Sequence, residues 1–255
     1  MVNTEVIISV NDLHKKYNTF HAVKGISFEV YNGEIFGLLG PNGAGKTTTL
    51  EIIETLREKT SGHVTVAGMN IENQANDIKQ IIGIQLQAAG YYPSLTLTEL
   101  IRMFSGLYNI KADPMQMLKM VGLEDKAKAK YKELSGGQKQ RFSITTTLIN
   151  KPRIVFLDEP TTGLDPQARR NLWDLIRDIR SKGTTVVLTT HYMDEAEELC
   201  DRVAVIESGK IIAMDTPDTL IDNLIASGFE RKKEVKKANL EDVFLSLTGQ
   251  EWKDE

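Results

Sequence analysis

Cysteine, long apolar runs and repeats are scarce in this 255-residue chain. Cys200 is its one cysteine, which excludes an internal disulfide framework and fits a reducing compartment. No apolar run approaches the roughly 20 residues that a helix needs to cross a bilayer. The N-terminus shows no charged-then-apolar leader. We therefore expect a soluble protein that reaches a membrane only through a partner.

The chain also lacks a large excess of charge of either sign. The chain has 31 Lys and Arg against 35 Asp and Glu, a net charge of −4, and the two signs are well mixed. No strongly basic face is implied, so nucleic acid is not an expected partner. Apolar residues make up 41% of the chain, enough for one large domain or for a core with an inserted subdomain.

A glycine-rich stretch carries the strongest motif. It follows the apolar run Ile35 to Leu39, a predicted buried strand, and precedes an apolar stripe typical of a helix. Glycines let the backbone N–H groups converge on an anion, and the helix start adds the positive end of its dipole. The alternative is a plain glycine-rich turn, but the strand–loop–helix order favours a phosphate-binding P-loop. The predicted contacts are Gly40, Pro41, Asn42, Gly43, Ala44, Gly45, Lys46, Thr47 and Thr48.

Three of these residues have individual predicted tasks. Lys46 can reach the β- and γ-phosphates, and the Thr47 hydroxyl can ligate Mg²⁺. Thr48 is placed toward the α-phosphate.

The N-terminal segment predicts a small antiparallel sheet beside this core. Val6 to Val10 is a predicted strand that Asp12 to Tyr17 ends with a polar turn, and Gly25 to Val30 alternates as a half-exposed strand. Tyr17, just ahead of the sheet, is either an aromatic that stacks on a base or an ordinary edge-strand tyrosine.

An all-helical insertion is predicted from about Ala88 to Asn150. Helices are expected over Thr98–Tyr108 and over Pro114–Val121, the second capped by Asp113. The lysine-rich stretch Ala127 to Lys132 is interpreted as a solvated helix face rather than a binding patch.

The pentapeptide Leu134–Gln138 then opens another helix. Ser135 is a natural N-cap, and the two glycines behind it expose backbone N–H groups. This predicts a second anion site built by the same physics, although a flexible helix entry would use the same residues.

The second half of the chain supplies acidic and imidazole groups. The apolar strand Ile154 to Leu157 runs into Asp158 and Glu159, and side chains at the carboxyl ends of parallel strands point into the ligand crevice. Asp158 can hold Mg²⁺ beside Thr47, and Glu159 can polarise a water for attack on the γ-phosphate. Alternatively, the two acids merely end a strand. His191 follows a later strand on the same edge, which favours a γ-phosphate contact.

The remaining elements are mostly helical. Asp165 and Pro166 start a predicted helix, and a hairpin is expected around Ser208–Gly209. A short helix at Met193–Cys200 carries four acids that we expect to face water: Asp194, Glu195, Glu197 and Glu198. From Pro217 the chain is predicted to be helical and charged, with Asn239 capping a last helix.

Taken together, these motifs resemble the ATP-binding cassette (ABC) ATPases over nearly the whole chain. The pentapeptide Leu134–Gln138 is that family's diagnostic element, and it lies between the P-loop and the Asp158-bearing strand as the family places it. The resemblance implies an α/β P-loop NTPase core with a mainly parallel sheet, an N-terminal antiparallel β subdomain and an inserted all-helical subdomain. The implied division is 1–87 and 151–222 for the core, 88–150 for the helical signature subdomain and 223–255 for a C-terminal helical tail.

The resemblance also implies residue roles toward ATP and Mg²⁺. Tyr17 corresponds to the aromatic that stacks on adenine, Glu159 to the catalytic base and His191 to the γ-phosphate switch residue. Gln87, rather than Gln85, corresponds to the glutamine that approaches Mg²⁺ and the attacking water, because the family's residue falls four places after the glycine matching Gly83. The signature residues Ser135, Gly136, Gly137 and Gln138 bind nucleotide, Asp165 contacts the opposing subunit, and the metal ligands are Thr47, Gln87 and Asp158.

The implied partners are a second nucleotide-binding subunit and a membrane permease. Two cassettes arranged head to tail, most simply as a homodimer, would bury two ATP molecules. A permease helix would dock near Gln87–Tyr108, where Tyr91, Tyr92 and Pro93 either form an interface or pack inside. The ending Asn239–Leu245 resembles cassettes of bacterial drug, lipid or polysaccharide exporters. The expected location is cytoplasmic, at the inner face of the membrane.

Other functions stay open at this point. A non-transport cassette of DNA repair, chromosome structure or translation would typically carry a coiled-coil insertion, a zinc module or tandem cassettes, and none is visible. An importer cassette or a nucleotide-dependent docking module without turnover would share most of the motifs. Thr145, Thr146 and Thr147 stand where relatives carry small apolar residues, which puts the packing of that helix in question.

Overall fold

The computed structural model describes residues 5–85 and 90–229. The chain divides into two compact units, Met1–Leu220 and Ile221–Glu255. In the second unit the described residues continue a helix to Ala226 and end at Phe229. Gln87 and the helix expected after Asn239 lie outside the described residues.

The described elements alternate between strands and helices. The strands are β1 (Val6–Tyr17), β2 (Phe20–Tyr31), β3 (Ile35–Leu39), β4 (Ser61–Val66), β5 (Met69–Asn70), β6 (Ile82–Gln85), β7 (Ile154–Asp158), β8 (Thr185–Thr190), β9 (Arg202–Glu207) and β10 (Lys210–Asp215). The helices are α1 (Lys46–Ile53), α2 (Ala75–Ile81), α3 (Leu97–Leu107), α4 (Pro114–Met120), α5 (Gly136–Thr147), α6 (Pro166–Ser181), α7 (Met193–Leu199) and α8 (Pro217–Ala226). Short 3₁₀ turns lie at Glu124–Lys126 and Tyr131–Glu133.

A six-stranded, mostly parallel sheet forms the centre of the first unit. Its order is β10-β9-β3-β8-β7-β6, and only the β9–β10 hairpin pairs antiparallel. Every residue of β3, β7 and β8 is buried, because both faces of a parallel sheet are covered. Phe156 packs toward the antiparallel sheet and α1, whereas Val155 and Leu157 pack toward the helices α3 to α6. The α/β fold class predicted from the sequence is confirmed.

The second sheet is antiparallel, with the order β2-β1-β4-β5. The predicted polar turn at Asp12–Tyr17 is wrong, because β1 continues through it to Tyr17. Register shifts between Val10 and Leu13 and beyond absorb the polar residues as bulges, and Asp12 adopts φ 47°. A bulge breaks the strict alternation on which the prediction rested.

The helical stretch after residue 90 differs from the prediction at its lysine-rich part. Helix α4 is capped by Asp113 as predicted, but residues 127–130 form turns and a bridge, and Tyr131 begins a short 3₁₀ turn, in place of one α-helix. The carbonyls of Ala129 and Ala127 accept hydrogen bonds from Leu97 N (3.0 Å) and Thr98 N (3.2 Å), the first free donors of α3. A helix end needs such partners, and these turns supply them.

Three threonine hydroxyls of α5 are accommodated on their own helix. Thr145 donates to Arg141 O at 3.0 Å, Thr146 to Ser143 O at 2.7 Å and Thr147 to Ile144 O at 2.8 Å. Back-bonding of this kind satisfies a hydroxyl without a partner from another element. The polar residues therefore do not disturb the packing of α5.

Replacing Gly83 by alanine should destabilise the protein. An added Cβ would lie 2.1 Å from the carbonyl oxygen of Thr147, so β6 and α5 would have to separate. Overpacking of this kind costs about 1–3 kcal/mol. Urea denaturation should show a lower midpoint for Gly83→Ala. The control Gly106→Ala, in α3 with no heavy atom within 4 Å of the new Cβ, should be neutral or slightly stabilising. Equal midpoints for the two variants would contradict the expected clash.

Candidate nucleotide-binding site

The loop between β3 and α1 is a backbone cradle that tolerates only glycine at key positions. Gly43 and Gly45 have φ of 80° and 103°, in the left-handed region. A Cβ on Gly40 would lie 2.1 Å from Ile206 O. Gly45 caps α1 without a side-chain hydrogen bond, so the donors of the first helical turn are left for an anion.

Lys46 lies inside this loop. Its side chain is 4% exposed, and Nζ donates to Gly40 O at 2.8 Å and to Pro41 O at 3.1 Å. Nζ also lies 3.4 Å from Glu159 Oε1. The ammonium therefore sits between the loop and the carboxylate, at the wall of a 580 Å³ cavity. The cavity is lined by Tyr17, Phe20, Ala22, Asn42, Gly43, Gly45, Lys46, Thr47, Thr48, Glu159, Thr162 and His191.

Asp158 joins the loop to the sheet. The Thr47 hydroxyl lies 3.1 Å from both carboxylate oxygens of Asp158, and the Thr189 hydroxyl donates to Oδ1. Burial raises the pKa of Asp158, and the hydrogen bonds from Thr189 and Thr47 act against that rise. A hydroxyl beside a carboxylate is an oxygen donor set of the kind that Mg²⁺ takes together with phosphates.

Glu159 is held by its backbone in an unusual conformation. Its φ is 48°, and its N–H is bonded to Thr189 O (3.2 Å) and Thr189 Oγ1 (3.0 Å). The side chain is 9% exposed; Oε2 accepts from Thr162 Oγ1 at 3.2 Å and lies 3.2 Å from His191 Nδ1. A positive φ at a non-glycine residue is maintained only where the surroundings fix it. The arrangement directs a carboxylate into the cavity, where it can accept a proton from water.

The aromatic wall of the cavity comes from the β1–β2 hairpin. Tyr17 ends β1, is 36% exposed, and is paired across the strands with Phe20, which is 62% exposed. Lys15 Nζ and Arg57 Cζ lie 5.0 and 5.5 Å from the Tyr17 ring centre. Tyr17 thus lies within the sheet rather than ahead of it, and its ring is not part of the core. Sequence reasoning missed Phe20, which a two-residue turn at Asn18–Thr19 would have placed opposite Tyr17.

The signature residues line a separate cavity. Ser135 caps α5 in a capping box, since Gln138 N donates to Ser135 Oγ (3.3 Å) and Ser135 N donates to Gln138 Oε1 (3.0 Å). Asp165 caps α6 by accepting from Ala168 N at 2.8 Å. Both helix starts border a 370 Å³ cavity that no P-loop residue lines. Its walls are Ser135, Gly136, Gly137, Gln138, Arg141, Gly163, Leu164, Asp165, Ala168 and Asn171.

The structure overturns one surface expectation and decides between two alternatives for another. The expectation that Glu195 faces water is wrong: it is 0% exposed, and its Oε1 accepts from Trp173 Nε1 at 3.0 Å. The pattern of apolar residues along α7 alone cannot predict that the Glu195 carboxylate packs under the indole of Trp173 on another helix. Tyr91 packs inside, edge-on to Phe104, whereas Tyr92 is 62% exposed.

The family follows from a direct comparison. The sequence model of the family described as ABC transporter matches residues 23–162. This chain belongs to the ABC transporter family. It is 36% identical to the Nod factor export ATP-binding protein I of Burkholderia orbicola, over 97% of this chain and 98% of that protein. It is 40% identical to the linearmycin resistance ATP-binding protein LnrL of Bacillus subtilis, over 86% of this chain and 72% of that protein.

Solved structures of the ABC family share the fold. The dimeric cassette MJ0796, in a post-hydrolysis state bound to ADP and Pi, superposes with a TM-score of 0.75 at 27% identity, over 82% of this chain and 98% of that chain. An ATP-binding subunit of an ABC transporter superposes with a TM-score of 0.76 at 27% identity, over 95% and 99%. ATP-binding proteins of this family are ATPases coupled to transport, and this chain is an ATP-binding ATPase of that kind. Within residues 5–85 and 90–229, no helix is long and apolar enough to cross a membrane.

A buried carboxyl of this ABC cassette should make its stability depend on pH. Glu54, in the turn after α1, is 2% exposed, and burial, with Asp158 and Glu51 nearby, raises its pKa to about 8. Because an unfolded Glu titrates near 4.3, the folded chain binds the extra proton between these values. The contribution to stability is therefore complete below about pH 4 and is lost as the pH rises toward 8, by up to about 1.4 kcal/mol per pH unit.

Chemical denaturation at pH 5.5 and pH 8 checks this dependence. Glu54→Gln should be more stable than the wild type at pH 8, and its stability should change less between the two pH values. Glu58→Gln, an exposed control, should keep the wild-type dependence. A Glu54→Gln variant with the same pH dependence as the wild type would show that the carboxyl is ionised in the folded chain.

Proposed function

We propose that this ABC ATPase pairs head to tail with a second cassette around two ATP–Mg²⁺ and drives a separate membrane permease. The observation that carries the proposal is the separation of the two half-sites. Lys46 lies on one cavity, whereas Ser135 and Asp165 lie on another. One nucleotide does not reach both within a single chain, but the second cavity of a partner can cover the first.

The first half-site accounts for phosphate binding and hydrolysis. The loop amides and Lys46 hold the triphosphate, with Tyr17 against the adenine. Mg²⁺, held by Thr47 and Asp158 together with Gln87, would neutralise phosphate charge. Glu159 lies beside Lys46 and takes a proton from the attacking water. His191, next to the same carboxylate, contacts the γ-phosphate.

The second half-site supplies the contacts that the partner cassette makes to the nucleotide. The first turn of α5, opened by Ser135, Gly136 and Gly137, presents N–H groups and the positive end of the helix dipole. Gln138 stabilises that start through the capping box, and Asp165 lies at the same cavity for contact with the opposing subunit. Loss of the γ-phosphate removes the contacts that hold the two cassettes together, which converts hydrolysis into movement.

Relatives support the export direction. The names of the proteins matched along most of this chain refer to Nod factor export and to linearmycin resistance. We accordingly place the chain at the cytoplasmic face of a membrane, attached through a permease that docks near 87–108, where Tyr92 is exposed. The division into a core of 1–87 and 151–222, a helical part of 88–150 and a tail of 223–255 belongs to the same proposal. Co-purification of an integral membrane protein with the tagged chain would support it, and an interaction with soluble proteins alone would contradict it.

Glu159→Gln should abolish turnover while leaving nucleotide binding intact. The amide cannot accept the proton from water, so phosphate release should fall by about 10²–10⁴-fold. Binding of a fluorescent ATP analogue should stay within a few-fold of the wild type, because the loop and Lys46 are unchanged. Glu207→Gln, exposed at the end of β9, is the matched control and should hydrolyse normally. Undiminished phosphate release from Glu159→Gln would remove Glu159 from the role of base.

Dimerisation should depend on the second half-site. With ATP and Mg²⁺, Glu159→Gln should have twice the mass of the chain, because the dimer forms around ATP and is not separated by hydrolysis. Adding Ser135→Arg should keep the protein monomeric without weakening ATP binding to the P-loop, since Ser135 lines the other cavity. Ser181→Arg, exposed at the far end of α6, is the control and should still dimerise. Light scattering measures the mass, and a monomer of Glu159→Gln with ATP bound would contradict the head-to-tail arrangement.

A further inference from the structure

Unpaired buried polar atoms are concentrated at one junction beside the candidate site. Within the described residues, seven buried side-chain nitrogen or oxygen atoms make no well-formed hydrogen bond. Three of them, Thr161 Oγ1, Arg169 Nε and Glu195 Oε2, belong to one group of side chains around Glu195. Buried polar atoms without well-formed bonds are unfavourable, so such a group calls for an explanation.

Glu195 is the centre of this junction. Its side chain is 0% exposed, and Oε1 accepts from Trp173 Nε1 at 3.0 Å, which ties α7 to α6. Burial raises the pKa of Glu195, and the nearby hydroxyls of Thr190 and Thr161, the Trp173 indole and the Arg169 charge all act against that rise. The carboxyl is thus surrounded by donors from three segments, and the bond from Trp173 has the best geometry.

One of these segments carries His191. Thr190 ends β8, is 1% exposed, and its Oγ1 accepts from Tyr192 N at 3.0 Å. This bond spans His191, and the Thr190 hydroxyl lies beside the Glu195 carboxyl. The Tyr192 ring in turn stacks on His191, with centroids 4.1 Å apart, and lies 4.6 Å from Arg169 Cζ. Glu195 therefore fixes the backbone that aims the imidazole into the nucleotide cavity.

The other segment leads to the second half-site. Thr161 lies two residues after Glu159, is 0% exposed, and Leu164 N donates to its carbonyl at 3.1 Å. Its hydroxyl lies beside the Glu195 carboxyl. The carboxyl therefore contacts the segment 161–165, which ends at Asp165, the cap of α6.

We propose that Glu195 is a positioning residue that sets His191 against the γ-phosphate and links it, through the Thr161 hydroxyl, to the segment that carries Asp165. The inference rests on the proposed function, in which His191 contacts the γ-phosphate. Glu195 lies against Thr190, the residue before His191, and against Thr161, in the segment that leads to Asp165. A triphosphate that engages His191 therefore acts through this carboxyl on the partner-facing segment.

The test compares ATP with ADP, because only ATP carries the γ-phosphate. Affinities are measured in the presence of Mg²⁺ by titration with fluorescent ATP and ADP analogues. Glu195→Ala should lose about tenfold in ATP affinity, equivalent to about 1.4 kcal/mol, while its ADP affinity stays within twofold of the wild type. Glu197→Ala, exposed on the same helix, is the control and should keep both affinities.

Two further variants separate positioning from folding. Glu195→Gln, whose amide can accept from Trp173 and donate to Thr161, should restore the preference for ATP. His191→Ala should lose the preference as Glu195→Ala does, and the double variant should lose no more than either single variant, because the two residues act on one contact.

The outcomes are distinguishable. An equal loss of ATP and ADP affinity in Glu195→Ala, additive losses in the double variant, or failure of Glu195→Gln to restore the preference would each overturn the positioning role. An undiminished ATP preference in Glu195→Ala would overturn this inference and leave the proposed function standing. A wild-type chain that does not distinguish ATP from ADP would overturn the γ-phosphate contact of His191 and this inference with it.

Discussion

The hydrogen bonds that converge on Asp158 hold the nucleotide site together. Thr47 reaches this carboxylate from the loop after β3, and Thr189 reaches it from β8. Asp158 itself ends β7, so three neighbouring chain segments meet at one side chain. The buried parallel strands behind them fix where each segment ends. Without these hydrogen bonds, the loop, the acids and the imidazole would not be fixed in position relative to one another.

The division of the site into two cavities is a consequence of the same architecture. The P-loop occupies the carboxyl edge of the parallel sheet, whereas the signature residues open a helix of the inserted segment and face the start of α6. Each cavity is bordered by a helix start. The chain belongs to the ABC transporter family, and the related cassette MJ0796 is dimeric; the proposed head-to-tail pairing would bring the two kinds of cavity together.

The site contains energetically unfavourable features that are not expected in a region with only a structural role. Glu159 keeps a positive φ, the charged ends of Lys46 and Glu159 are both buried beside the cavity, and buried polar atoms around Glu195 lack well-formed hydrogen bonds. Each is costly in isolation and is maintained by the buried strands around it. The features cluster where a ligand and a second cassette would contribute the missing contacts.

The amino-acid sequence of this ABC ATPase was sufficient to predict its local structural features. The glycines of the P-loop, the caps Ser135, Asp113 and Asp165, and the apolar strand ahead of Asp158 depend on neighbours within a few residues, and spacing reveals them. Three features depend on the three-dimensional fold: the path of β1 through Asp12, the turns that accept the first donors of α3, and the burial of Glu195 under Trp173. These depend on partners far apart in the chain, and a charge pattern along one helix carries no information about them.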